Sequence, residues 1–223
     1  MSFLDDLKRQ ADSLRARQSG DTAALARNAA LTEAACKSAF SYLVSLAPQL
    51  EVLRPASPAR FALDRQNVFE GLPLSDFRLD ARRKQLRNED VCDYLVLHWQ
   101  LKSGRALQLT KDFLPDMDKL ESRLRQSGAL VDNEAVRNPD NGKLLARRYS
   151  FVADFVGSVR ITPQHDSARL HFMLHNLDGF ESLSFELPAI EVGSARLDEL
   201  ARWLAGHPHR FLQGAENLRR IEA

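Results

Sequence analysis

Two histidines four residues apart, His171 and His175, stand in the run LHFMLHNLDGFESLSFEL, Leu170 to Leu187. On a helix that spacing puts both imidazoles on one face, as zinc ligands. On a strand they share a face but lie roughly 13 Å apart, at about 3.3 Å per residue, and one zinc with nitrogens at about 2.1 Å cannot take both. Asp178-Gly179 between alternating segments decides for the strand, because it signals a two-residue type I′ hairpin. With that loop, Leu174 faces Leu183, Phe172 faces Phe185, Leu170 faces Leu187, His175 faces Ser182 and His171 faces Glu186. Large apolar residues meet large apolar residues, and a slip of one position would turn that face to water. The histidines are therefore expected as strand residues, His171 in a cross-strand pair with Glu186. No metal site and no cofactor are expected.

Other residues of chemical interest fare no better. Cys92 and His98, which alternation puts on one strand face with Tyr94 and Val96, could be nucleophile and base, but six residues along one strand is roughly 20 Å. His207-Pro208-His209 reads as a helix-terminating turn, and Asp112, Asp116 and Asp118 as acidity at a helix start. No P-loop, G-x-S-x-G, G-x-G-x-x-G or H-E-x-x-H pattern is present. The run RLDARRKQLR, Arg78 to Arg87, carries five cations and one acid. Arg82, Arg83 and Arg87, together with Arg147, Arg148 and Tyr149, are the candidate ligand- or partner-binding residues, as basic groups beside an aromatic ring. The competing reading of the same cations is a charged strand edge that resists aggregation.

The elements that must carry these residues follow from periodicity. Leu4, Leu7, Ala11 and Leu14 mark a helix over 2–18, capped by Ser2. QSGD then predicts a break. A second helix, capped by Asp21, runs over 22–47 with the seam Leu25, Ala29, Thr32, Cys36, Ala39, Leu43 and Leu46. The two are expected to fold as a hairpin, and the end of the second seam near Ala39, Leu43 and Leu46 is a candidate for a two-fold dimer. Pro55 and Pro58 make 53–60 a stiff connector. Beyond it the period becomes two: a half-wet strand around Phe77–Arg82, an apolar strand Val91–Leu101, and a partner strand near 106–110 after KSGR. A helix with Pro115 at its start, the stripe Met117, Leu120 and Leu124, and Gly128 at its end comes next. A long extended run, 144–161, shows Tyr149, Phe151, Ala153 and Phe155 on one face. The hairpin follows, then a helix from Ser194 to Gly206 and a short helical tail.

The class is α+β: an N-terminal helical hairpin (1–52), then a body (60–223) of twisted, mainly antiparallel sheet meander with one inserted helix and C-terminal helices, hairpin and body forming one unit. At 223 residues the chain can bury a core without disulfides. A net charge of +1 gives no global attraction to nucleic acid. Two cysteines without C-x-x-C spacing suit free buried thiols in a cytoplasmic protein, and no apolar run reaches the length of a membrane span. The expected function is non-enzymatic binding or assembly, holding a protein partner or a second copy by a helical arm or a sheet face. The alternatives are a carrier of an apolar small ligand in a cavity between sheet and helices, and an enzyme whose site leaves no motif.

Overall fold

The computed structural model describes the backbone of residues 3–222, and the side chains of Lys8 and of 20–222. The N-terminal half departs from expectation. One helix, α1, runs unbroken over Phe3–Leu53, roughly 76 Å at about 1.5 Å per residue. There is no hairpin, and Asp21 is a mid-helix residue rather than a cap. A helical glycine costs only about 1 kcal/mol against alanine, and Gly20 is followed by the alanine-rich stretch Ala23–Ala35, which outweighs it. Pro48 is tolerated because it lies on the exposed side, where water satisfies the carbonyl it cannot bond. Ser2 and the side chains of Leu4, Leu7, Ala11 and Leu14 lie outside the described residues.

The second seam is as expected from Thr32 on. Thr32, Cys36, Ala39 and Leu43 are buried, with Ala35 and Leu50. What covers them is the chain's own sheet, so the Ala39–Leu43 stripe is not open to a second subunit. Small side chains at 32, 35, 36 and 39 let the helix axis approach the strands closely.

That sheet has six strands, all antiparallel, in the order β11-β10-β9-β8-β4-β3. They are β3 (Leu74–Leu86), β4 (Glu89–Leu101), β8 (Phe155–Gln164), β9 (Arg169–His175), β10 (Glu181–Pro188) and β11 (Glu216–Glu222). Helix α1 and helix α3 (Ser194–Leu204) cover one face, over a core that includes Leu97, Trp99, Val159, Phe172, Phe185, Leu197 and Phe211. Gly157 is required there: a Cβ on it would sit 2.2 Å from the Trp99 ring. The connector 53–60 is tied down as well, since the Ser57 N–H donates to the Leu72 carbonyl and the Leu74 N–H to the Pro55 carbonyl. A two-strand ribbon of β1 (Phe61–Ala62) and β2 (Val68–Phe69) follows it.

Three further expectations are corrected. The strand after KSGR, β5 (Ala106–Lys111), does not pair with β4. It joins β7 (Leu144–Val152) and β6 (Val131–Arg137) in a separate sheet of order β5-β7-β6. Asp154 redirects the chain by accepting the N–H groups of Ser103 and Gly104, 2.8 Å each. The long run 144–161 thereby divides between two sheets at Ala153-Asp154, although Tyr149, Phe151, Ala153 and Phe155 are all buried. The C-terminal tail is strand β11, not helix. All of its residues are exposed, and it pairs with β10 from Glu222 opposite Glu181 to Glu216 opposite Glu186; sheet hydrogen bonding overrides the weak helical signal. Helix α2 (Leu114–Ser127) has the expected Pro115, the buried stripe Met117, Leu120 and Leu124, and a left-handed Gly128 at φ 70°. Among the described residues no helix is long and apolar enough to cross a membrane.

Candidate functional site

The 170–187 hairpin has the expected register: Phe172 opposite Phe185, Leu174 opposite Leu183, His171 opposite Glu186 and His175 opposite Ser182. The turn differs. Positive φ falls at Asn176 and Gly179, not at Asp178, so the loop spans 176–180 and the Asn176 N–H closes it on the Glu181 carbonyl. Both imidazoles face serines, His171 Nε2 2.8 Å from Ser184 Oγ and His175 Nδ1 2.8 Å from Ser182 Oγ. Glu186 takes its hydrogen bonds from Gln164 and Asn217 instead. Burial holds the His175 imidazole below its ordinary range. His209 stacks on Trp203 at 4.2 Å. Among the described residues no group of three or more His, Cys, Asp or Glu is placed to hold a metal ion.

The two halves of the basic cluster part company. Arg147, Arg148 and Tyr149 lie on β7 in the small sheet, where Arg147 and the Tyr149 hydroxyl both donate to Glu121 and Arg148 pairs with Glu134. Tyr149 is 1% exposed, so no base could stack on it; burial first, then Glu121, pushes its hydroxyl up to about 12. Arg82, Arg83 and Arg87 belong to the β3–β4 hairpin on the large sheet.

That hairpin borders a cleft against α1. Its turn is Arg87-Asn88, with φ of 51° and 68° between the paired Leu86 and Glu89, the two-residue type I′ geometry expected elsewhere. Asp93 is an extra residue in β4: Arg82 pairs with Tyr94, yet Arg83 pairs with Cys92. A bulge of this kind shifts the alternation by one. Cys92 is thereby turned inward toward α1, away from the face that carries Tyr94, Val96 and His98, where plain alternation placed it.

Strand β3 is an edge strand. Its first residues are occupied, since the Leu74 N–H is held by Pro55 and the Phe77 N–H donates to Glu51 Oε2 at 3.1 Å. From Arg78 to Leu86 the outer edge has no strand partner among the described residues. Between this stretch and α1 opens a cleft of about 500 Å³. Ala34 and Phe40 of α1, Ala81 of β3 and Leu95 of β4 give it apolar walls. Cys36 and Cys92 form its inner end, and Lys37, Arg82 and Arg83 stand around it. Phe40 and Val44, one turn apart, are 42% and 48% exposed.

Glu33 organises the inner end. Its Oε1 accepts the Cys92 N–H at 2.7 Å and lies 2.9 Å from His165 Nε2, while its Oε2 is 3.5 Å from Arg83 Nη2. Arg83 also donates to Asp90, and Arg87 pairs with Asp166 at 2.5 Å. The Cys36 and Cys92 side chains both line this inner end. The neighbouring Cys36 thiol, with help from Arg83, holds Cys92 below the ordinary thiol range against burial and Glu33, and the neighbouring Cys92 with burial pushes Cys36 up. Sequence reasoning placed each cysteine in a core and missed their meeting; no one-dimensional pattern marks the bulge that brings it about.

No family model, curated protein or solved structure matches this chain.

Proposed function

We propose that the protein is a binding module that takes an extended, acidic segment of a protein partner as an added strand on the β3 edge, with the segment's apolar side chains seated under α1. One observation carries this reading: the open edge from Arg78 to Leu86 lies directly beside an apolar cleft under a helix. Strand addition draws affinity from main-chain hydrogen bonds and specificity from pockets for alternate side chains. The charge supports an acidic partner. Positions 81–87 carry Arg82, Arg83, Lys84 and Arg87 and no acid, and an acidic strand would compete there with the chain's own carboxylates, Asp93 on Arg82 and Lys84, Asp90 and Glu33 on Arg83, and Asp166 on Arg87. Two copies of this edge would repel each other, which guards against self-pairing, whereas a strand of opposite sign is drawn in. The length of α1 supports a second contact with the same partner, because the helix extends roughly 38 Å from Asn28, which donates to the Asp166 carbonyl, back to Phe3. We place its action in the cytoplasm, where free thiols stay reduced.

The test is fluorescence anisotropy with a short labelled peptide of alternating valine and glutamate. Saturable binding is expected, roughly tenfold weaker or more for Phe40→Glu, and weakened by salt and by Arg82→Glu. Equal binding by wild type and Phe40→Glu would remove the cleft from the account. A second reading rests on the same cleft. About 500 Å³ falls within the usual span for small-ligand sites, so an apolar molecule with an anionic head could fill it. Competition between a medium-chain fatty acid and the peptide would reveal that use.

A further inference from the structure

Cys36 on α1 and Cys92 on β4 are the chain's only cysteines, and the structure brings them together although they are distant in sequence. Their placement is over-determined. Glu33, one turn before Cys36, accepts the backbone N–H of Cys92 itself at 2.7 Å, so the turn of helix that carries one thiol is pinned to the residue that carries the other. The bulge at Asp93 supplies the inward aim of Cys92. Both thiols are nearly buried, at 3% and 4%, yet both border the open cleft, which admits a molecule as small as hydrogen peroxide. Neither is needed for the proposed strand addition, so this inference goes beyond that reading and does not depend on it.

We infer that Cys36 and Cys92 are a redox-active pair that a peroxide converts to an intramolecular disulfide stapling α1 to β4. The two thiols are chemically unequal. Cys92 lines the cleft together with Arg83, whose guanidinium lies 3.5 Å from Glu33, and it is held below the ordinary thiol range. Cys36 keeps its proton. Thiolate character decides which thiol a peroxide oxidises first. The Cys92 sulfur attacks one peroxide oxygen; the O–O bond breaks, hydroxide leaves and takes up the thiol proton as water, and Cys92 becomes a sulfenic acid. The Cys36 sulfur then attacks the Cys92 sulfur. The S–S bond forms, the S–O bond breaks, and the departing hydroxide leaves with the Cys36 proton as a second water. Two thiols are oxidised and one peroxide is reduced to two waters; an added dithiol reverses the change by thiol–disulfide exchange.

The experiment treats the full chain at low micromolar concentration with a small excess of hydrogen peroxide, then denatures it in iodoacetamide and measures intact mass. Conversion is expected to remove about 2 Da, the two thiol hydrogens, to block both alkylations, and to be undone by dithiothreitol. The variant Cys36→Ser should stop at a sulfenic acid that dimedone traps, whereas Cys92→Ser should react roughly tenfold more slowly or worse. Wild-type protein that still takes two alkyl groups after peroxide overturns the proposal, whatever the variants do. So does a disulfide found only between chains. Equal dimedone trapping in the two variants overturns the assignment of Cys92 as the thiol that reacts first.

Discussion

Two hairpins of one sheet, β9–β10 and β3–β4, are built from similar residues and do opposite things. In β9–β10 the alternation is unbroken along each strand, Arg169–His175 and Glu181–Pro188. The inward residues stack as a block, with Phe172 against Phe185 at 5.3 Å and Phe211 edge-on to both. In β3–β4 the ladder shifts register twice, between Ser75 and Arg78 and between Arg82 and Arg83. The first hairpin is wall and core. The second gives up regularity, and in return it presents an open edge, a cleft and two meeting thiols. Regular alternation builds surfaces that only pack, whereas a bulge re-aims side chains and makes a place where something else can fit.

The largest loss of stability is expected in the core hairpin. Phe172→Ala removes one member of the three-ring cluster and is expected to cost about 3–5 kcal/mol in urea unfolding. Phe40→Glu, on the cleft wall and 42% exposed, should leave the midpoint near wild type while it impairs peptide binding. If the two stability effects came out alike, the division into wall and site would be wrong.

A smaller effect belongs to the loop of the core hairpin. Gly179 has φ of 131°, and a Cβ there would meet the Arg60 carbonyl oxygen at 3.2 Å. Gly179→Val is expected to cost about 1–3 kcal/mol, the usual strain of a side chain in a glycine-only region. An unchanged melting temperature would mean that the loop rearranges freely and does not hold the register.

The smallest effect is one of pH. Burial holds His175 below its ordinary 6.5, so the unfolded chain binds the proton more readily than the folded one. Above 6.5 both forms are neutral and nothing changes. As pH falls below 6.5 the unfolded state gains protons first and stability drops, until the folded pKa is passed. Comparing urea midpoints at about pH 7.5 and about pH 5.5, the drop should be smaller in His175→Asn than in wild type. An equal drop would assign it to other groups.

How far the sequence carried depends on the same contrast. The register of 170–187 was legible because each large apolar residue met another in one frame only. Helix α2 was legible because Pro115, its stripe and Gly128 agree. The inward aim of Cys92 was not, since alternation counted from Tyr94 and Val96 passes across Asp93 without sign of an extra residue. The helix continues through Gly20 because the alanines after it outweigh one glycine, which no local break signal reveals. The pairing of β5 is not legible, because a short connection favours its neighbour β4, while its partner, β7, lies more than thirty residues further on. Local pattern specifies elements; the departures from pattern, which here make the cleft, are settled by tertiary packing.

The most direct measurement of the account is amide hydrogen exchange of the full chain with and without the valine–glutamate peptide. Slower exchange is expected over Arg78–Leu86, where the edge amides have no strand partner until the added strand arrives, with the β9–β10 amides unchanged. Peptide binding without protection in Arg78–Leu86, or protection confined to another part of the chain, would contradict strand addition at this edge.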